Sequence, residues 1–162
     1  MIKIRGLIEE DFVNYKKPSI YIAFPYCTFK CDKECGYSVC QNSSLVTNSE
    51  IIDIDEQKIV NRYIDNPITT SIVISGLEPF DSYKDLFILI KAFREKTLDD
   101  IIIYTGYNKN EIENSIEELK QFKNIFIKFG RFIPNQEKHY DKVLQVTLAS
   151  PNQYGEKISW WT

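Results

Sequence analysis

Residues Ser71–Phe93 read SIVISGLEPFDSYKDLFILIKAF, and this stretch decides the fold. Its opening, Ser71–Ser75, is short, apolar and β-branched, the pattern of a strand covered on both faces. It runs straight into Gly76-Leu77-Glu78-Pro79, whose composition marks a loop. Ser82 with Asp85 then resembles a helix start, and Leu86, Leu89, Ile90 and Phe93 recur at i, i+3, i+4 and i+7, one apolar stripe. A strand, a loop and a packed helix in immediate succession are the parts of a βαβ unit.

The same order appears on either side. Upstream, Ser19–Phe24 (SIYIAF) is a β-rich run ending at Pro25, with Cys27 two residues later. Asp53 and Glu56 have capping-box spacing, and Ile59, Val60, Tyr63 and Ile64 share one side, which predicts a helix over Asp55–Tyr63 that Pro67 terminates. Downstream, Ile101–Tyr104 reads as a strand, Thr105-Gly106-Tyr107 as a turn, and Ile112, Ile116 and Leu119 as the stripe of a further helix. Ile125–Phe129 and Val143–Leu148 read as later strands, the first followed by Gly130 and the second by Ser150-Pro151-Asn152. This alternation implies an α/β fold with parallel strands and right-handed crossovers. About five such units are too few for a closed eight-stranded barrel, so an open, partial βα barrel is expected. With 162 residues and no internal repeat or linker, the chain reads as one domain over residues 1–162. Active sites of such folds gather at the C-terminal strand ends, where Cys27, Gly76–Pro79, Thr105–Tyr107 and Gly130–Arg131 fall.

Composition narrows the function classes. Hydrophobic residues make up 43% and charged residues 27%, the balance of a folded soluble chain. A net charge of −3 lacks the basic surplus that phosphate-backbone binding requires, so nucleic acid is not an expected partner. The N-terminal MIKIRGLIEEDF holds no apolar run of signal or membrane-span length, so no membrane is expected and the cytoplasm is inferred. In that reducing compartment the four cysteines, Cys27, Cys31, Cys35 and Cys40, all within fourteen residues, point to metal or redox chemistry rather than disulfides. Thiolates suit both zinc and iron–sulfur clusters, and their spacing leaves both open. Three ligands would leave one iron of a [4Fe-4S] cluster open for a substrate or cofactor, whereas four would make a structural or electron-transferring site. The lone His139 reads as a surface or lightly packed residue, and Trp160 and Trp161 as packing aromatics.

At these motifs the chain resembles the radical S-adenosylmethionine (SAM) superfamily, specifically the anaerobic ribonucleoside-triphosphate reductase activating proteins, the small subunits of class III reductases. Ile4–Asn14 (IRGLIEEDFVN) looks like that family's opening strand, and Phe24–Asn42 (FPYCTFKCDKECGYSVCQN) like its cluster loop. Ile74–Pro79 (ISGLEP) is similar to its Ser-Gly-Gly-Glu/Asp-Pro stretch, and Tyr104–Tyr107 (YTGY) to its Trp/Tyr-Thr-Gly-Tyr. Gly130–Phe132 (GRF) and Ser150–Gln153 (SPNQ) resemble its later motifs. The chain departs from the pattern at Tyr15-Lys16-Lys17-Pro18, where the family has a glycine-rich stretch, and at Leu77, where it has a second glycine. The cysteine spacing departs as well, with three residues and then three to Cys35 or eight to Cys40.

The resemblance implies a partial barrel of the radical SAM type and two cofactors, a [4Fe-4S] cluster and SAM. Its metal ligands would be Cys27, Cys31 and Cys40, with Cys35 the alternative third. Cys40 is preferred because it follows apolar Val39 and stands two before Asn42, as the family's last ligand does. Cofactor contacts would come from Ser75, Gly76, Leu77, Glu78, Thr105 and Gly106, with Glu78 meeting the methionine ammonium. No catalytic side chain beyond the cluster and SAM is implied. The implied activity is reductive cleavage of SAM to methionine and a 5′-deoxyadenosyl radical, which makes a glycyl radical on the large reductase subunit. That subunit and a reductant such as flavodoxin would be the partners. The competing readings are an activator of another glycyl radical enzyme, a radical SAM enzyme acting on a small molecule, and a non-enzymatic four-cysteine zinc module.

Overall fold

A computed structural model of the chain describes residues 1–39, 44 and 48–159. The expectations for Cys40, Asn42, Trp160 and Trp161 therefore lie outside the described residues. Ten strands and four α-helices are described. The strands are β1 (Ile2–Ile4), β2 (Gly6–Asp11), β3 (Ser19–Phe24), β4 (Ile52–Ile54), β5 (Ser71–Gly76), β6 (Asp100–Tyr104), β7 (Ile125–Phe129), β8 (His139–Asp141), β9 (Val146–Leu148) and β10 (Tyr154–Lys157). The helices are α1 (Lys30–Cys35), α2 (Glu56–Asp65), α3 (Tyr83–Arg94) and α4 (Glu113–Leu119).

The architecture is α/β around a six-stranded mixed sheet in the order β10-β7-β6-β5-β3-β2. Its four central strands are parallel, in the registers Ser19↔Ser71, Ser71↔Asp100 and Ile101↔Ile125. Both outer strands are antiparallel: β2 against β3, with a bulge between Ile8 and Asp11, and β10 against β7. The parallel set is thus four strands rather than about five. Strand β10 escapes sequence reading because Tyr-Gly-Glu-Lys is polar and half-exposed; an edge strand buries too little to need an apolar code.

Strand alternation sorts the core into two layers. Ile20, Ile22, Ile72, Ile74, Ile101, Ile103, Ile125 and Ile127 pack with Ile59, Val60 and Tyr63 of α2, Leu86, Leu89, Ile90 and Phe93 of α3, and Ile116 and Leu119 of α4. Each such side chain contributes roughly 1.5–3 kcal/mol of burial. The residues between them, Val73, Ile102 and Phe126, point the other way and join Tyr15, Leu144 and Leu148. Because side-chain direction has period two, Ser75, Tyr104 and Lys128 continue this second face at the strand ends, and all three line one cleft.

Several local expectations are corrected. Helix α2 is capped by Asp55, whose carboxylate accepts from Gln57 N at 2.9 Å. Asp53 instead sits in β4 and accepts from Lys3 Nζ at 2.7 Å, because β1–β4 pairing draws it outward. Ile64 is exposed; it lies beside Tyr63 on a helix whose stripe is already met by Ile59, Val60 and Tyr63. A 3-10 turn, Pro79–Ser82, precedes α3, and Ser82 makes no side-chain cap, while the Asp85 carboxylate takes Lys3 N. The strand expected over Val143–Leu148 shortens to Val146–Leu148. Asp141 Oδ1 accepts from Val143 N and Leu144 N and turns the chain there, joining β8 to β9. Among the described residues no helix is long and apolar enough to cross a membrane.

Candidate metal and cofactor site

The cleft at the C-terminal ends of β3, β5, β6 and β7 has a volume of about 390 Å³. That falls within the roughly 300–1,000 Å³ range of small-molecule sites. Cys27 and Cys31, Ser75, Leu77 and Glu78, Thr105 and Gly106, and Lys128 all face it. Two of the expected contacts do not. Gly76 turns away from the cleft, and Cys35 does not line it.

Gly76 has a backbone role. Its φ is +86°, and a Cβ there would lie 2.5 Å from Phe24 N and 2.6 Å from Ala23 Cα. Its N–H donates to Tyr21 Oη at 3.1 Å. Only glycine lets β5 end this close to β3 in this conformation. Gly76→Ala is expected to destabilise the fold by about 3 kcal/mol or more, read as a lower midpoint in urea unfolding. An unchanged midpoint would overturn this close packing of Gly76 on β3. Leu77, in contrast, needs no special backbone: it is buried and its N–H donates to Phe24 O at 3.2 Å.

Glu78 is the polar centre of the site. It is 5% exposed, and its Oε1 accepts from Phe80 N at 3.1 Å and Thr105 Oγ1 at 2.8 Å, while Oε2 accepts from Gly106 N at 2.8 Å. Its own N–H donates to Tyr26 O at 2.8 Å, tying the loop after β5 to the cysteine segment. Burial pushes the carboxyl up to about 7, against these three hydrogen bonds, which favour its charged form. One carboxylate thus fastens the loops after β5 and β6 together.

The cysteine segment is held mainly through α1. Phe29, with φ +54°, leads into the helix, and Gly36, with φ +78°, closes it by donating to Asp32 O at 2.9 Å. Cys27, Cys31 and Cys35 are thiols, not disulfides. Phe29 N donates to Cys27 Sγ at 3.1 Å, the kind of contact that stabilises a thiolate ligand. Gly106 faces Cys31: a Cβ there would stand 3.8 Å from Cys31 Sγ and 3.7 Å from Glu78 Oε2. Cys35 is four residues beyond Cys31 on α1, about 6 Å of helical rise.

A charged latch holds α1 against the sheet. Arg131 makes two hydrogen bonds to Glu111, at 2.8 and 2.7 Å, and pairs with Glu34 at 3.2 Å. Lys30 pairs with Glu111 at 3.6 Å and lies 4.4 Å from the Tyr107 ring centroid. The Arg131 guanidinium holds the Glu111 carboxyl down to about 2. Asp81 completes the latch, accepting from Thr28 N at 3.0 Å and from Tyr107 Oη.

The two late motifs meet here as well. Gly130, at φ +103°, packs against Asn152 O, and Asn152 Nδ2 donates to Arg131 O at 2.8 Å. Gln153 Nε2 donates to Gly130 O at 3.3 Å. His139 stands outside the cleft with Nε2 at 2.6 Å from Gln153 O. Sequence reasoning missed Lys128. Its signal is a lysine in IFIKF, a strand otherwise wholly apolar, at the position in phase with Phe126. Lys128 is buried, its Nζ donates to Gly130 O at 3.1 Å, and burial lowers its ammonium to about 8.

Among the described residues no three His, Cys, Asp or Glu side chains close around a metal by themselves. Cys27 and Cys31 supply two soft thiolates on one cleft, which suits a cluster completed by a further thiolate. Fold and site together define an α/β protein with a pair of cleft-facing thiols. A family model for 4Fe-4S single cluster domains matches residues 19–153, from the first residue of β3 to Gln153, and the chain belongs to that family. No curated protein and no solved structure matches the chain.

Proposed function

We propose that the chain is a radical SAM activating enzyme, which cleaves S-adenosylmethionine reductively and generates a glycyl radical on the large subunit of anaerobic ribonucleoside-triphosphate reductase. The observation that carries this reading is the convergence of Cys27 and Cys31, Ser75, Leu77 and Glu78, and Thr105 and Gly106 on one cleft. These groups follow three different parallel strands, so a cofactor touching all of them is oriented by the sheet itself. In this reading the four parallel strands are the wall of a partial, open barrel, and residues 1–162 act as one domain.

Cys27, Cys31 and Cys40 would hold the cluster, with Cys35 the alternative to Cys40. When bound, the cluster supplies the electron that breaks a carbon–sulfur bond of SAM, leaving methionine and a 5′-deoxyadenosyl radical. The chain's own residues bind and orient. Glu78, whose carboxyl burial raises to about 7, attracts the methionine ammonium in its ionised form, in a poorly hydrated pocket. Gly106 leaves the space beside Cys31 open, and Leu77, Phe132, Val146 and Leu148 give the cleft apolar walls that limit water near a radical. The rim carries Val13, 73% exposed, where the large subunit can complete the enclosure. A flavodoxin-type reductant and a reducing cytoplasm fit this chemistry.

The test is anaerobic reconstitution with iron and sulfide, followed by SAM and dithionite. The expected product is 5′-deoxyadenosine, and addition of the large subunit is expected to give a glycyl radical signal in electron paramagnetic resonance. An intact cluster that yields no 5′-deoxyadenosine would overturn the enzyme class. Formation of 5′-deoxyadenosine without a radical on the large subunit would overturn the partner.

A further inference from the structure

Helix α1 carries Cys31, which is a cluster ligand under either choice of third cysteine, yet the helix has six residues and none of them is buried. A helix of that length and exposure is held neither by its own hydrogen bonds nor by an apolar stripe. Its position therefore depends on contacts from outside. Lys30 and Glu34 stand four residues apart, on one face of α1, and meet a matched pair of opposite charges. Lys30 Nζ lies 3.6 Å from Glu111, in the turn after β6, and Glu34 lies 3.2 Å from Arg131 Nε, in the loop after β7. Arg131 and Glu111 are themselves joined by two parallel hydrogen bonds, at 2.8 and 2.7 Å. Arg131 is 7% exposed and its carbonyl accepts from Asn152 Nδ2, so the guanidinium is the fixed end of this network.

The same guanidinium stands beside the thiols. Cys27, Cys31, Gly106 and Arg131 line one small recess, and a Cβ at Gly106 would lie 3.8 Å from both Arg131 Cγ and Cys31 Sγ. A [4Fe-4S] cluster gains negative charge when it is reduced, and its potential follows the net charge around it. A cation near a cluster ligand favours the reduced form, and a carboxylate opposes it. We propose that Arg131 is a positioning residue for the cluster: with Glu111 it fixes the Cys31 helix on the sheet, and its charge favours the reduced state. The inference rests on the reading of Cys31 as a cluster ligand and is independent of SAM. It gives the arginine of Gly130–Phe132 a role.

The experiment uses the full chain, reconstituted anaerobically with iron and sulfide, as the native sequence, Arg131→Met and Glu111→Gln. Two quantities are read without SAM: the midpoint potential of the cluster, by redox titration followed in electron paramagnetic resonance, and the rate at which an iron chelator strips it. The two substitutions remove opposite charges but break the same latch. The potential is expected to fall in Arg131→Met and to rise in Glu111→Gln. Iron release is expected to quicken in both by about tenfold, the loss typical of a group that orients a metal ligand. A role confined to fold stability would not move the potential in opposite directions. Thermal unfolding of the iron-free chains reports folding, and where Arg131→Met does not fold, the isosteric Glu111→Gln decides alone. Potentials that stay at the native value or shift together overturn the proposal, as does iron release at the native rate. A native chain that assembles no cluster overturns the ligand reading beneath it, whereas a native cluster indifferent to both substitutions overturns the proposal alone.

Discussion

Replacing Cys31 by serine is expected to leave the anaerobically reconstituted chain with almost no iron, against about four irons per chain for the native sequence. Cys27→Ser is expected to do the same. Both thiols face the cleft, and a serine hydroxyl is too hard a ligand to replace a thiolate on cluster iron. Cys35→Ser is expected to keep iron content and 5′-deoxyadenosine formation near native, because Cys35 ends α1 away from the cleft. Cys40→Ser is expected to lose both. Iron and sulfide analysis with the cluster's visible absorbance reads all four variants. If Cys35→Ser empties the site while Cys40→Ser leaves cluster and cleavage intact, the third ligand is Cys35.

Glu78→Ala is expected to abolish measurable SAM binding while the cluster still assembles, because Glu78 stands on a different strand end from the cysteines. It also strands Phe80 N, Thr105 Oγ1 and Gly106 N, so its melting temperature should fall. Glu78→Gln narrows the structural effect: it keeps an acceptor for Phe80 and Thr105, loses the one for Gly106 N, and removes the charge. Its SAM affinity should fall by an order of magnitude or more with the fold intact. The sign of the pH dependence follows from the raised carboxyl, about 7 against an ordinary 4.5. The folded state binds this proton more tightly than the unfolded chain, so its contribution to stability is full below about 4.5 and declines as pH rises toward 7. Over that window the ligand-free protein loses about 3 kcal/mol at this site. The stability of Glu78→Gln relative to the native chain should therefore rise between pH 5 and pH 8, as measured by urea unfolding. SAM affinity of the native chain should rise over the same window, since the ammonium needs the ionised partner. A flat difference between the two proteins would remove Glu78 as the buried titrating group. Loss of the cluster with SAM affinity intact would remove it from the cofactor site.

Linear order alone was enough for the central α/β unit. The strand at Ser71–Ser75, which runs on through Gly76, and the stripe Leu86, Leu89, Ile90 and Phe93 form as read, because periodicity is a local property. Ser19–Phe24 and Ile125–Phe129 hold to the residue for the same reason. The cysteine cluster and Glu78 were legible as chemistry, since thiolates at close spacing and a carboxylate in a Gly/Pro loop need no three-dimensional context to attract attention. Failures came where a residue's role depends on a distant neighbour. Asp53 has capping spacing, yet pairing with β1 assigns it to Lys3. Val143 is β-branched, yet the Asp141 carboxylate turns the chain at that point.

The tertiary structure alone decided which of these residues share a site. Register between parallel strands brings Ser75, Tyr104 and Lys128 to one face at one level, and no feature of any single segment encodes that alignment. It also set the state of each group: burial raised Glu78 and lowered Lys128, and the Arg131–Glu111 latch formed between segments 20 residues apart. Desolvation and charge pairing depend on what surrounds a side chain after folding. The sequence by itself determined that this chain is an α/β protein with a soft-metal cysteine loop at a strand end; only the packed sheet made that loop, a buried carboxylate and a buried lysine into one cleft.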